Sequence, residues 1–370
     1  MRVEYLQAEL ARRSASMLLA PGDDLRYIAG WSPYGDERLT FLVVSPLAAA
    51  IVVPTVNAEE AEAHLPQTIT VIRFTDEQGP QSALEKAWLQ VKADHFTPFI
   101  SDDARFDHVR AVMSLSLSGD LQLASQIVAS MRMRKSAEEI AHLRESQAIN
   151  DQAMRAAYTA MQIGMTENEL ADVIRRAFVQ HGADREAFII VAAGDNSAHP
   201  HHTPGDRVLT EGPVLLDIGC YKNGYASDMT RMAWIGTPSA KFLEVHRAVD
   251  AAVKAGRSAA RVGALAQDID RATRSTVAQA GYGPQFVHRT GHGIGLSVHE
   301  PPSIVEGNSL VIEAGMAFSI EPGIYLPGEF GVRLEEVAVV SNEQTELLSK
   351  VSREIWVKPV SSGREGRNGR

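Results

Sequence analysis

Cysteine is nearly missing from these 370 residues, and Cys220 stands alone. A disulfide within the chain is therefore impossible, and no cluster of thiolates can hold a metal. Long apolar runs are missing as well. The stretch Ala48–Val53 is far too short to cross a bilayer. Met1–Ala20 mixes Arg, Glu and Gln with short apolar pieces and has no signal-peptide core. Positive charge is in deficit: 36 Lys and Arg stand against 46 Asp and Glu, for a net charge of −10. That balance argues against a nucleic-acid or anionic-membrane surface. A soluble cytoplasmic protein with no nucleic-acid and no membrane partner is expected. What remains is ordinary globular composition, 45% hydrophobic and 22% charged, enough for a real core. The length suggests roughly two domains at ~150 residues each.

The first third reads as a small α/β unit. Leu39–Val44, Ala50–Val53 and Ile69–Phe74 are strand-like, and Ala83–Val91 is helical. It carries no Gly-rich phosphate loop and no cluster of acid–base residues. A basic run, Arg132–Lys135, precedes a long helix whose start is marked by Ser136 and Glu139 at capping-box spacing. The boundary is placed near residue 130. The spacing predicts a second helix from Thr166, with an apolar stripe of Leu170, Val173, Ile174, Ala177 and Phe178 and a stop at Gly182. Strands follow at Ala187–Ala193, Val214–Ile218 and Tyr225–Trp234, the last two joined through the turn signal Lys222-Asn223-Gly224. Helices over Ala240–Gly256 and Ala264–Ala280 lead to strands at Met316–Glu321 and Val332–Val340. Helices and strands thus alternate twice, which hints at a duplicated α+β half. The tail Ser361–Arg370 has no apolar residue and is expected to be disordered.

Four carboxylates stand where apolar strands should exclude them: Asp217 in Leu-Leu-Asp-Ile-Gly, Asp228 in Ala-Ser-Asp-Met-Thr, Glu321 in Phe-Ser-Ile-Glu-Pro, and Glu335 in Arg-Leu-Glu-Glu-Val. A buried carboxylate is costly unless paired, protonated or bound to a cation. Only Arg231 and Arg333 are near in sequence. Two divalent cations would neutralise all four charges. Any one of these carboxylates could instead end a strand at solvent or form a single ion pair, but four together point to metal. Alternation along a strand puts Arg333 and Glu335 on one face and Glu336 on the other, which favours Glu335 as the ligand.

Six of the twelve histidines fall in two clusters, His199, His201, His202 and His288, His292, His299. The others, His64, His95, His108, His142, His181 and His246, are expected at the surface. His292 lies in Gly-His-Gly-Ile-Gly, where flanking glycines let backbone approach closely. Gly291, Gly293 and Gly295 have the wrong spacing for a dinucleotide loop and lack a βαβ setting. His299-Glu300 cannot open a zinc-protease helix, because Pro301 and Pro302 follow and Ser303 stands where the second histidine belongs. Oxygen ligands with one imidazole suit Mn, Co, Fe or Zn.

In order, Asp217, Asp228 eleven positions on, Gly-His292-Gly-Ile-Gly, Ile-Glu321-Pro and Arg333-Leu-Glu335 resemble the creatinase/methionine-aminopeptidase superfamily of M24-type metallopeptidases. The similarity runs over roughly residues 130–357, and the smaller N-terminal part resembles that of the prolidase, Xaa-Pro aminopeptidase and creatinase branch. The resemblance implies an α+β fold: a creatinase-like α/β domain over 1–130, then a pita-bread catalytic domain over 131–360. It implies two divalent metal ions per chain, Mn before Co or Zn, held by Asp217, Asp228, His292, Glu321 and Glu335. It also implies a peptide substrate and a homodimer. Asp217 would chelate one ion, Asp228 and Glu335 would bridge, and His292 and Glu321 would hold the other. His201 and His299 would polarise the scissile carbonyl, Glu321 would shuttle the proton, and His288 would be a further active-site histidine. Arg333 and His202 would support substrate or ligands.

One departure is informative. Many prolidases have an arginine four residues after the counterpart of His299, where it clamps a dipeptide's carboxylate. Here that place is Ser303. This favours an Xaa-Pro aminopeptidase acting on longer peptides over a strict dipeptidase. The rival readings are a metal-free hydrolase like creatinase, a metal-dependent hydrolase or lyase for a small metabolite, and a non-enzymatic binding module. An intact set of five ligands weighs against the first and the last.

Overall fold

The structure, a computed structural model, describes residues 2–360; the tail expected to be disordered lies outside the described residues. The chain divides into two compact units, Met1–Arg132 and Met133–Arg370. The first is an α/β domain around a mixed six-stranded sheet. The three expected strands are present at Phe41–Val44, Ala49–Pro54 and Ile69–Phe74, and Gln81–Gln90 is helical. Three more strands complete the sheet, at Ala15–Leu19, Thr97–Ile100 and the short Gln122–Leu123. Sequence reading missed Ala15–Leu19 because all five residues are buried. A strand covered on both faces has no alternation to read. Trp88, Leu84 and Phe41 form the centre of its apolar core.

The second unit has the pita-bread architecture, two sheets each backed by a helix pair. Ala137–Ala160 and Glu167–Gln180 both begin with capping boxes, Ser136 with Glu139 and Thr166 with Glu169. They pack on a sheet in which Gly212–Lys222 lies between Arg185–Ala193 and Met229–Ile235, with Trp356–Lys358 at the edge. The helices Ala240–Ala259 and Ala266–Gln279 cover a second five-stranded sheet that includes Gly291–Gly293, Glu300–Ile304, Ala317–Ile320 and Glu336–Val340. The expected turn at Asn223-Gly224 is made with positive φ at both residues, 52° and 80°. That is the backbone a two-residue hairpin demands.

Alternation along Gly212–Lys222 sets up the site. Val214, Leu216 and Ile218 enter the core under the first helix pair, while Leu215 enters the core of the other half. Asp217 shares the face of Leu215 and so points between the halves. Thr230 is its register partner on the adjacent strand.

Two of the histidines assigned to the surface are buried, a correction to the sequence reading. His108 sets Nε2 3.1 Å from the Glu37 carbonyl, and His246 sets Nε2 2.9 Å from that of Arg353. A hydrogen bond to backbone makes such burial tolerable, and no local pattern announces it.

Phe242 is fully buried, its ring centroid 4.5 Å from Trp234 and 5.4 Å from Phe330. Phe242→Ala is expected to cost the catalytic unit about 3–5 kcal/mol, read from the urea midpoint of metal-free protein. A loss under about 1 kcal/mol would show that the aromatic cluster does not hold the halves together.

Candidate metal centre

Of the four carboxylates, only Asp217 lies inside a strand. Asp228 falls between Tyr225–Ala226 and Met229–Ile235, and Glu321 directly follows Ala317–Ile320. Glu335 separates Phe330–Arg333 from Glu336–Val340, which belong to different sheets. The continuous strands expected over Tyr225–Trp234 and Val332–Val340 are therefore broken at the acidic residues. A residue off the ladder is freed from strict alternation and its carboxylate can turn into the cavity. The alternation argument separating Glu335 from Glu336 does not apply across such a break. The separation arises instead because Glu336 is drawn to Arg231 at 3.0 Å and Arg353 at 2.9 Å, while Glu335 faces the Thr230 hydroxyl at 2.8 Å.

Asp228, His292 and Glu335 present ligand atoms within 4.8 Å of one another, and all three are buried. Glu321 Oε1 lies 3.1 Å from His292 Nε2. Asp217 lines the same cavity, of about 690 Å³. Asp217 Oδ1 and Glu335 Oε1 are buried and have no hydrogen-bond partner. Buried carboxylate oxygens without donors are costly, and a cation satisfies them. The ring of His292 is suited to join them: Nδ1 sits 3.1 Å from the Gly293 carbonyl, which takes a ring N–H, so Nε2 faces the carboxylates. The glycines beside it are needed for space. A Cβ at Gly291 would lie 1.9 Å from the Ser319 carbonyl oxygen, and one at Gly293 would lie 2.2 Å from that of Pro301.

The electrostatics agree with the donor set. Burial first, then Glu335, Asp217 and Glu321, raises the Asp228 carboxyl well above its ordinary range. Burial, Glu321 and Asp217 do the same to Glu335. Burial also pushes Glu321 up, but its hydrogen bond with His292 and the charge of Arg333 outweigh it and bring that carboxyl to about 2. Ser319 Oγ donates to Glu321 Oε1 at 3.0 Å and accepts from the His292 N–H at 3.0 Å, so one hydroxyl orients two of the candidate ligands.

Arg333 ties this ring of acids together. It donates through Nη2 to Asp217 Oδ2 at 2.6 Å, through Nε to Thr230 Oγ1 at 3.1 Å, and through Nη1 to the Tyr325 hydroxyl at 2.8 Å. Burial pushes the Tyr325 phenol up to about 12, so it keeps its proton. Having accepted from Arg333, it donates to His288 Nε2 at 2.8 Å, and His288 Nδ1 then donates to the Arg289 carbonyl at 2.8 Å. Burial lowers the His288 pKa, in keeping with this neutral ring. Both nitrogens of His288 are thus committed within the protein.

His299 and His201 line the cavity. The His299 ring stands edge-on to His292, centroids 4.1 Å apart. Burial, then His292 and Arg289, holds its pKa down to about 4, which makes it a neutral N–H donor near pH 7. His202 instead turns away to Glu167 at 2.7 Å, and His199 is an exposed turn residue. Sequence reading missed Thr230, Ser319, Tyr325, Arg289 and Glu167. Thr230 and Ser319 stood in the stretches quoted around Asp228 and Glu321, and Arg289 stood between His288 and the Gly-His-Gly segment, but none was marked there as part of the site.

Glu335→Ala is expected to lose bound metal along with activity, whereas His299→Ala keeps metal and loses roughly 10²–10³-fold in kcat. Elemental analysis of the two purified variants separates these roles, and equal metal loss in both would show them wrongly assigned. Because burial and neighbouring acids raise the Asp228 and Glu335 carboxyls in the metal-free site, loading metal-free protein with Mn at pH 7 is expected to release protons. Calorimetry in two buffers of different ionisation enthalpy measures that release, and identical heats would exclude it.

Comparison with known proteins agrees with this geometry. The model of "Metallopeptidase family M24" matches residues 141–342. The chain is 37% identical over 356 residues to the probable dipeptidase PepE of Mycobacterium tuberculosis, covering 94% of this chain and 93% of that protein. It is 35% identical over 345 residues to the Xaa-Pro dipeptidase of Lactobacillus helveticus, covering 91% and 93%. Among solved structures, dipeptidase PepE from Mycobacterium ulcerans superposes with a TM-score of 0.91 at 35% identity over 97% of both chains. The X-Pro aminopeptidase from Thermotoga maritima gives 0.82 at 27% identity over 97% of this chain and 100% of that one. With 37% identity across 94% of its length to one relative and a fold shared at a TM-score of 0.91 with another, this chain belongs to metallopeptidase family M24.

Proposed function

We propose that the protein is a dinuclear-metal Xaa-Pro dipeptidase. The observation that carries the dipeptide preference is the position of Arg289. Its Nη1 lies 3.2 Å from Ser303 Oγ, and it lines the metal cavity. Gly291–Gly293 and Glu300–Ile304 are paired strands, so a side chain just before the first reaches one on the second. The charge that Ser303 lacks is supplied from across the strand pair. Among the described residues Arg289 has no carboxylate partner, which leaves its remaining N–H groups for the free carboxylate of a dipeptide. This reverses the preference for longer peptides drawn from Ser303 alone. The names of the relatives, probable dipeptidase and Xaa-Pro dipeptidase, lend it support.

In this reading Asp217, Asp228, His292, Glu321 and Glu335 hold two divalent ions, Mn before Co or Zn. When bound, the ions supply Lewis-acid polarisation and activation of water. The chain's own groups do the rest. His299, neutral, donates an N–H to the scissile carbonyl oxygen, and His201 assists from the other wall of the cavity. Glu321, ionised, receives a proton and passes it to the leaving nitrogen. Arg333 steadies Asp217, and His288 holds the backbone that carries Arg289. His202 supports the loop of His201 rather than meeting substrate. The first unit serves as the N-terminal domain and the second as the catalytic one. A homodimer and a cytoplasmic setting complete the proposal, the first from the family resemblance and the second from the sequence. Among the described residues no helix is long and apolar enough to cross a membrane.

A comparison of Ala-Pro with Ala-Pro-Ala tests the reading. The dipeptide is expected to have the higher kcat/KM. Arg289→Gln should lower it roughly 10- to 100-fold for Ala-Pro, as loss of a charged hydrogen bond does, and leave Ala-Pro-Ala nearly unchanged. Preference for the tripeptide would restore the aminopeptidase reading.

A further inference from the structure

Glu167 opens the helix Glu167–Gln180, and its side chain is fully buried. Among the described residues no Lys or Arg pairs with it. Burying a carboxylate is unfavourable unless donors replace the water it loses. Here all the side-chain donors come from one stretch, residues 193–205. Oε1 accepts from the Ala193 N–H at 2.8 Å and from Asn196 Nδ2 at 2.9 Å. Oε2 accepts from His202 Nε2 at 2.7 Å and from the Gly205 N–H at 3.1 Å. The loop is wrapped around the carboxylate, and each oxygen is used twice.

His201 lies inside that wrapped segment. It is exposed into the metal cavity and has no hydrogen bond of its own among the described residues. Its position is therefore set by its backbone. The same loop is held on its far side by Ser197. Ser197 Oγ accepts the Gly331 N–H at 2.9 Å, and its carbonyl oxygen would stand 2.1 Å from a Cβ at Gly331. Gly331 belongs to the strand that ends at Arg333. The loop is thus fixed between a helix start and the strand that carries an active-site arginine.

We infer that Glu167 is a positioning residue that acts through His201: it sets the loop that delivers this histidine to the substrate. The inference rests on the substrate-facing role proposed for His201. Glu167→Gln keeps the shape but places an NH2 where an oxygen takes two donors, so the loop loses two of its four anchors. Rigid support of this kind is what holds a reacting group in register.

A double-mutant cycle tests it, using full-length Mn-loaded protein and Ala-Pro. Glu167→Gln is expected to lower kcat roughly 10- to 100-fold, as loss of a supporting partner does, with metal content and circular dichroism unchanged. In a His201→Ala background the same substitution should cost less than about 2-fold, because the group it positions is gone. Equal losses in both backgrounds would overturn the inference and mark Glu167 as a general packing residue. Full activity of the single variant would overturn it too. If His201→Ala alone leaves kcat intact, the role of His201 fails and takes the inference with it, an outcome distinct from additive losses. Should Glu167→Gln not fold, Asn196→Ala removes one donor while leaving the carboxylate, and the same cycle decides.

Discussion

Asp217, Asp228, Glu321 and Glu335 crowd into one cavity with water largely excluded, and their mutual repulsion sets the terms for everything around them. Without a cation, burial and the neighbouring acids raise the Asp228 and Glu335 carboxyls well above their ordinary range. One fixed positive charge, Arg333, is built in against Asp217. It cannot balance four acids, and two carboxylate oxygens remain without donors. A divalent cation would meet that deficit, with the imidazole of His292 as a nitrogen ligand beside the carboxylates. Stability and chemistry share this arrangement, since buried acids tolerable only with metal also create the affinity for it.

The supporting groups show how the cavity stays in register. Thr230 touches both Glu335 and Arg333, and Ser319 touches both His292 and Glu321. Thr230 thus couples a candidate ligand to Arg333, and Ser319 couples the His292 backbone to Glu321. The chain from Asp217 through Arg333 and Tyr325 to His288 has a fixed direction of donation. It begins with a guanidinium that can only donate and ends at a backbone carbonyl that can only accept. That direction leaves His288 neutral and places Arg289 beyond it. Arg289, which lines the cavity, is in this way joined to a candidate ligand.

The segments that carry the cavity-lining histidines are tied down. The loop of His201 is wrapped on Glu167. The Gly-His-Gly segment is pressed against Ser319 and Pro301 so closely that only glycine fits. Lys135 and Glu300 form a buried ion pair at 2.8 Å beside His299. Removing either partner would leave an uncompensated charge next to the cavity. The site is open to peptide yet built on elements that cannot easily shift.

The sequence by itself determined which residues would be unusual. Acids within apolar runs and glycines on both sides of His292 identified the candidate ligands. The two capping boxes, the Asn223-Gly224 turn and the duplicated alternation of helices and strands gave the outline of the second unit. These are local signals, set by backbone sterics and by the cost of burying charge. Tertiary structure alone decided how the residues meet. Glu321 and Glu335 fall where the chain passes from one sheet to another, and Asp228 falls between two strands of one sheet, breaks that no local pattern records. Ser303 reads as a missing charge in one dimension, but pairing with a neighbouring strand brings Arg289 to its side. Tyr325, Thr230 and Glu167 are not marked by residue type, because a hydroxyl or an acid in a helix's first turn looks the same wherever its hydrogen bond leads. Their partners lie 103 to 105 residues away for Thr230 and 26 to 38 for Glu167, a separation closed only by folding.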